Sequence, residues 1–148
     1  MDPSLRSFRG KKPVESHAIN DLKYSSSGDK ILVCGNLAQY KVLGRDGDEL
    51  FESVSDLKTF FLPFSFIFVQ VKGDMYVLDQ SRNKGHTARI NAGCWHPKIK
   101  EEFMTCADDG TMRLWLMENE GRKSKSVIKT KNRKSGLKCH PTSCTYSR

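Results

Sequence analysis

The sequence predicts an all-β fold built from repeated antiparallel sheets. Three observations carry that reading. Short apolar runs alternate with turn signals along most of the chain. No stretch shows helical periodicity over the length a helix needs. The richest stretch, residues 85–116, opens on Gly85-His86, carries an Asp108-Asp109-Gly110-Thr111 turn and ends in a strand around Trp115.

The first segment runs over residues 17–52. In residues 17–24, Ala18, Leu22 and Tyr24 share one face of an extended chain, interrupted by Asn20, which predicts an imperfect half-buried strand. Ser26-Ser27-Gly28-Asp29 is a turn. Ile31-Leu32-Val33-Cys34 and Tyr40-Lys41-Val42-Leu43 read as the next two strands, and Arg45-Asp46-Gly47-Asp48 supplies an Asp-Gly hairpin signal leading to residues 49–52. The Asp-x-Asp start lacks the rest of a calcium-loop pattern.

The second segment is stronger. Residues 89–95 read as a strand, with Pro97 in the following turn. Residues 103–107 and 111–116 read as the next two, and 126–129 as a fourth. A third segment starts near His140, where residues 142–146 have strand-like composition.

His86, Thr105, Asp109 and Trp115 have the types that a closed polar chain requires. A carboxylate in a tight turn accepts a His ring N–H, the His bonds a hydroxyl, and the hydroxyl accepts the indole N–H. Each buried group then has a partner, which avoids a penalty of about 1–3 kcal/mol per orphan. Hydroxyl, His and Asp also compose a hydrolase triad. Thr replaces the usual Ser here, however, and no nucleophile elbow or Gly-rich oxyanion motif is present.

This order of Gly-His, Pro-containing turn, Asp-Asp-Gly-Thr and closing Trp resembles a WD repeat, the four-stranded unit of a β-propeller. The resemblance implies a WD40-type β-propeller fragment of about two blades. In the repeat, His86, Thr105, Asp109 and Trp115 fall at the structural tetrad positions. A closed ring needs at least about four blades of roughly 40–45 residues, so 148 residues form an incomplete ring. The first segment keeps only His17, preceded by Ser16 rather than Gly, and is expected to be a degenerate blade held mainly by packing. The domain reading is a degenerate blade at 1–53, an apolar insertion at 54–70, a WD blade at 71–130, and a basic loop with the start of a further blade at 131–148.

Further runs carry a closer resemblance. They include Met1-Asp2-Pro3-Ser4-Leu5-Arg6-Ser7-Phe8-Arg9, Lys84-Gly85-His86-Thr87, Cys94-Trp95-His96-Pro97-Lys98-Ile99-Lys100-Glu101-Glu102-Phe103-Met104-Thr105-Cys106 and the closing Cys144-Thr145-Tyr146-Ser147-Arg148. Together they resemble the gastrulation-defective-like WD-repeat family. That resemblance implies a non-enzymatic nuclear scaffold that binds protein partners, in a family linked to chromatin and DNA-break repair, with no cofactor, metal or small-molecule substrate. It also implies that Met1 corresponds to an internal methionine and that Arg148 is not a natural end. Trp115 is followed by Leu116 rather than Asp. This removes the Trp-Asp-x-Arg pattern through which some propellers engage a ubiquitin-ligase adaptor.

Residues 54–70 stand apart from the resemblance. Their apolar run is shorter than the roughly 20 residues a membrane helix needs and contains Pro63. Phe, Leu, Pro and Ser can be written in pyrimidine codons, Val54-Ser55 can encode a splice-donor-like sequence, and Gln70 can be an acceptor-end CAG. Removing the run joins Ser53 to Val71 in a sequence that looks continuous with the family. A translated intron is therefore expected, and sequencing of spliced transcripts tests it.

The formal charge of +8 is local. Residues 121–148 hold nine Lys or Arg and no acid, leaving sixteen basic against seventeen acidic residues elsewhere. Arg122, Lys123, Lys125, Lys129, Lys131, Arg133, Lys134 and Lys138 form a candidate nucleic-acid or import segment, an alternative function that lacks interleaved aromatics for stacking. The five Cys are odd in number and show no C-x-x-C pair, which reads as reduced thiols in an intracellular protein. With His96 and His140 their spacing fits no common zinc motif.

Overall fold

The computed structural model describes residues 17–45, 73–117 and 124–147. The insertion at 54–70, the hairpin signal at 46–48 with residues 49–52, Arg122, Lys123 and Arg148 lie outside the described residues.

Two antiparallel meanders make up the fold. The first sheet has the order β1 (Ile19–Tyr24), β2 (Lys30–Gly35), β3 (Tyr40–Gly44). The second has the order β4 (Ile90–Trp95), β5 (Glu102–Ala107), β6 (Thr111–Leu116), β7 (Ser126–Lys129). Gln80–Arg82 form a single 3-10 turn ahead of β4.

Burial explains the strand content. In β2 and β3 the apolar runs Leu32-Val33-Cys34 and Val42-Leu43 are buried. β5 is buried along its whole length, as a central strand covered on both faces must be. In β6 strict alternation turns Thr111, Arg113 and Trp115 inward.

The sheets pack face to face. Leu32, Cys34, Tyr40 and Val42 of the first share one core with Ile90, Trp95, Phe103, Ala107 and Trp115 of the second. Tyr40 meets Phe103 edge-on with centroids 5.0 Å apart and lies 4.8 Å from the Trp115 ring, spacings at which aromatic pairs attract. Gly93 marks the closest approach. A Cβ there would stand 2.5 Å from Leu32 Cδ2 and 2.9 Å from Cys34 Sγ.

Polar bonds reinforce the seam between β1 and β4. Asn20 Nδ2 donates to Ile90 O at 2.7 Å, and Trp95 Nε1 donates to Lys23 O at 3.0 Å. Lys30 Nζ and Glu101 pair at 2.7 Å. The ladder slips by one residue between Ile19 and Asp21, and again between Ile90 and Ala92. Both slips fall at an Ile-Asn pair, a bulge that frees the Asn side chain to reach outside its own sheet. Asn20 reaches Ile90 O, and Asn91 reaches Pro141 O at 2.9 Å.

Two expectations need correction. Residues 19–24 form a strand, but it is not half-buried: Leu22 is 47% and Tyr24 60% exposed. Among the described residues nothing covers that face. Residues 142–146 form no strand, because strand composition yields a ladder only where a neighbouring edge offers free N–H and C=O groups in register. They lie extended over the second sheet instead, where Tyr146 packs on His96 at 4.6 Å.

Candidate functional site

The loop before β4 brings His86 under the turn between β5 and β6. Gly110 makes that turn possible at φ +70, a conformation in which a side chain would be strained. The glycine also leaves room for Lys138, whose stem lies where a Cβ would be.

Four side chains form one continuous chain of hydrogen bonds. His86 Nδ1 lies 2.9 Å from Asp109 Oδ2, and His86 Nε2 lies 2.8 Å from Thr105 Oγ1. Trp115 Nε1 donates to Thr105 Oγ1 at 2.8 Å. The Asp109 carboxylate only accepts, so the neutral ring keeps its proton on Nδ1 and leaves Nε2 to accept the Thr105 O–H, while Thr105 Oγ1 accepts the indole N–H. His86 thus donates from Nδ1 to the Asp109 carboxylate. The chain thus reaches from the centre of the sheet to the turn, in one order of donors and acceptors.

Electrostatics agree with that proton arrangement. Burial holds His86 below its ordinary value, against the pull of the Asp109 hydrogen bond and charge, so the ring is neutral at pH 7. Burial alone would raise Asp109. The hydrogen bonds from His86, from the Thr111 side chain and from the Thr87 N–H outweigh it and hold the carboxyl at about 2. Thr111 supplies both its O–H at 2.6 Å and its N–H at 2.9 Å to Asp109 Oδ1.

A second buried group supports the loop that carries His86. Arg113, fully buried in β6, donates from Nη1 to Asn83 O at 2.8 Å and from Nη2 to Gln80 O at 2.7 Å. Its Nε has no partner among the described residues. The sequence reading missed both Arg113 and Thr111. The signal was the alternation Thr111-x-Arg113-x-Trp115, which puts all three on the inward face of one strand.

The described basic residues divide into paired and unpaired ones. Lys125 pairs with Glu102 at 2.7 Å, and Lys129 with Asp79 at 2.6 Å. Lys131, Arg133, Lys134 and Lys138 are exposed on a small hairpin closed by a Lys131–Lys138 bridge. Among the described residues these four have no carboxylate partner. No group of three or more potential metal ligands occurs among the described residues.

No protein-family model matches the sequence. All 148 residues match WD repeat-containing protein 70 of Xenopus tropicalis at 48% identity, covering 21% of that protein. The Homo sapiens protein of the same name matches the whole chain at 45% identity, with 20% of its length covered. Gastrulation defective protein 1 homolog of Drosophila melanogaster matches the whole chain at 44% identity, again over 20% of its length. The chain spans about a fifth of the length of these relatives. With these matches, the two packed meanders are a partial β-propeller of the WD-repeat type.

Proposed function

We propose that this chain, which matches WD repeat-containing protein 70 along its whole length, is a piece of a nuclear scaffold for protein partners that serves chromatin and DNA-break repair. WD-repeat relatives suggest a protein-interaction scaffold, and the hydrogen-bond chain carries the reading within this molecule. Thr105 is fully buried, and its hydroxyl is bonded to both Trp115 and His86. A substrate atom has no path to it, so His86, Thr105 and Asp109 serve as a structural lock rather than as base, nucleophile and orienting acid. The lock keeps the β5–β6 turn and the loop before β4 in fixed positions, which is what a scaffold surface needs.

Capture from nuclear extract tests the reading. The tagged chain should retain a defined set of proteins that Asp109→Ala and His86→Ala variants lose. Equal recovery by wild type and both variants would show that the captured proteins do not read the folded surface. A fluorescent fusion that stays out of the nucleus would remove the proposed location.

One observation favours a second reading, direct binding of nucleic acid. The unpaired Lys131 and Lys138, with Lys129, line a recess of about 250 Å³ beside Gln80 and Gly110. Phosphates would fit this chemistry, and affinity would fall steeply with salt. Titration of the chain with single-stranded DNA at two salt concentrations, against a variant with Lys131, Arg133, Lys134 and Lys138 changed to Gln, decides it. Unchanged affinity in the variant ends this reading.

A further inference from the structure

The cysteines take no part in the hydrogen-bond chain, yet two of them lie on one side of the second sheet. Cys106 is fully buried in β5, and strand alternation turns it to the opposite side of the sheet from Thr105. Cys144 belongs to the extended stretch that crosses that side, and it is half-buried. Its Sγ lies 3.8 Å from Ala92 O and 3.9 Å from Met104 O. Ala92 is the cross-strand partner of Cys106, and Met104 precedes Cys106 by two residues on the same face. Cys144 Sγ therefore sits on the Cys106 face of the sheet, over the backbone of the residue opposite Cys106 and of the next residue on that face of its own strand.

We propose that Cys106 and Cys144 are an oxidative modification site, a reversible disulfide that fastens the C-terminal stretch to the inner strands of the second sheet when the protein meets a peroxide. Geometry selects this pair from five cysteines. Cys34 faces the other side of the sheet, against Gly93. Cys139 is exposed and directs its thiol to Leu137 O. Cys94 shares the face of Cys106 but directs its thiol to Trp95 O, and it is the nearest competitor.

Access divides the roles. Cys144, the more exposed thiol, gives up its proton, and its sulfur attacks the peroxide. An S–O bond forms, the O–O bond breaks, and hydroxide leaves. The Cys106 thiolate then attacks the Cys144 sulfenic acid. An S–S bond forms, the S–O bond breaks, and a second hydroxide leaves. The two thiol protons convert both hydroxides to water, so two thiols and one hydrogen peroxide give one disulfide and two waters.

The consequence is mechanical. Residues 139–147 are held by scattered contacts: Asn91 to Pro141 O, His140 to Asp108 O and Tyr146 to Glu102. A covalent link at Cys144 would hold that stretch on the sheet while the individual contacts open and close.

Peptide mapping of the whole chain after hydrogen peroxide, with free thiols blocked, tests the site. The Cys106–Cys144 linked peptide should dominate, disappear on treatment with dithiothreitol, and form at least about tenfold more slowly in denaturing urea, where the fold no longer holds the thiols together. Cys106→Ser and Cys144→Ser should abolish the link, and Cys139→Ser should leave it intact. Amide exchange at residues 142–146 should slow on oxidation. Three outcomes each overturn the proposal: a dominant Cys94–Cys144 link, equal rates with and without urea, or sulfinic acid formed without a cross-link.

Discussion

The two sheets share one meander topology, yet they are held together by different physics. In the second, His86 is fully buried and bridges Asp109 and Thr105. In the first, His17 is exposed and has no hydrogen-bond partner among the described residues. The turn from β5 to β6 carries Asp108-Asp109-Gly110, whereas the turn from β2 to β3 carries Asn36-Leu37-Ala38-Gln39 and offers no carboxylate. The first sheet fills its interior with Leu32, Val33, Tyr40 and Val42 instead. Apolar burial is non-directional and fixes no order of partners, while a saturated polar chain admits one arrangement. The first sheet therefore borrows its definition from the second, through Tyr40 on Trp115 and Asn20 on Ile90.

The comparison breaks most completely at Trp115. Trp115→Ala removes the end of the polar chain and the ring that Tyr40 packs against. The expected loss is about 3–5 kcal/mol, read by urea unfolding, with both sheets unfolding together. A loss confined to the second sheet would mean that the first stands alone.

His86→Ala set beside His17→Ala sharpens the contrast. The former leaves a buried carboxylate and hydroxyl without their shared partner, for an expected loss of about 3 kcal/mol. The latter should stay within about 0.5 kcal/mol. Equal effects would place the lock elsewhere.

Acid should weaken the polar chain of the second sheet. His86 and Asp109 are both held below their ordinary values of 6.5 and 3.8, so the unfolded chain binds their protons more readily than the folded one. Their contribution is complete above pH 6.5, declines as pH falls below it, and declines again between pH 3.8 and about 2. Melting temperature against pH should show the upper step, and His86→Gln should remove it.

Gly93→Ala probes the contact between the sheets, because the nearest atoms to the added Cβ belong to the first sheet. The added methyl would press on Leu32 and Cys34, at a cost of about 1–3 kcal/mol. Its effect should add to that of Asp109→Ala, because the two sites share no partner.

Much of this was legible in the sequence. Apolar runs at Ile31-Leu32-Val33-Cys34 and turn residues at Asp109-Gly110 mark strands and reversals, since both signals are local. The types of His86, Thr105, Asp109 and Trp115 were legible as well, because a saturated chain needs one donor or acceptor of each kind. The exposure of β1 was not legible: Leu22 and Tyr24 have the composition of buried residues, and only the absence of a covering face decides otherwise. Arg113 was hidden for a related reason. A charged residue inside a strand reads as solvent-facing until the carbonyls of Gln80 and Asn83 are seen to surround it.

The sequence by itself determined where strands begin and turn and which side chains can satisfy one another, because those properties depend on residue type and short spacing. Tertiary structure alone decided which faces are covered, that Arg113 is paired within the fold, that residues 142–146 have no ladder, and that Cys144 comes to rest over Ala92 and Met104. Each of these depends on what a distant part of the chain places opposite, and no local pattern encodes that.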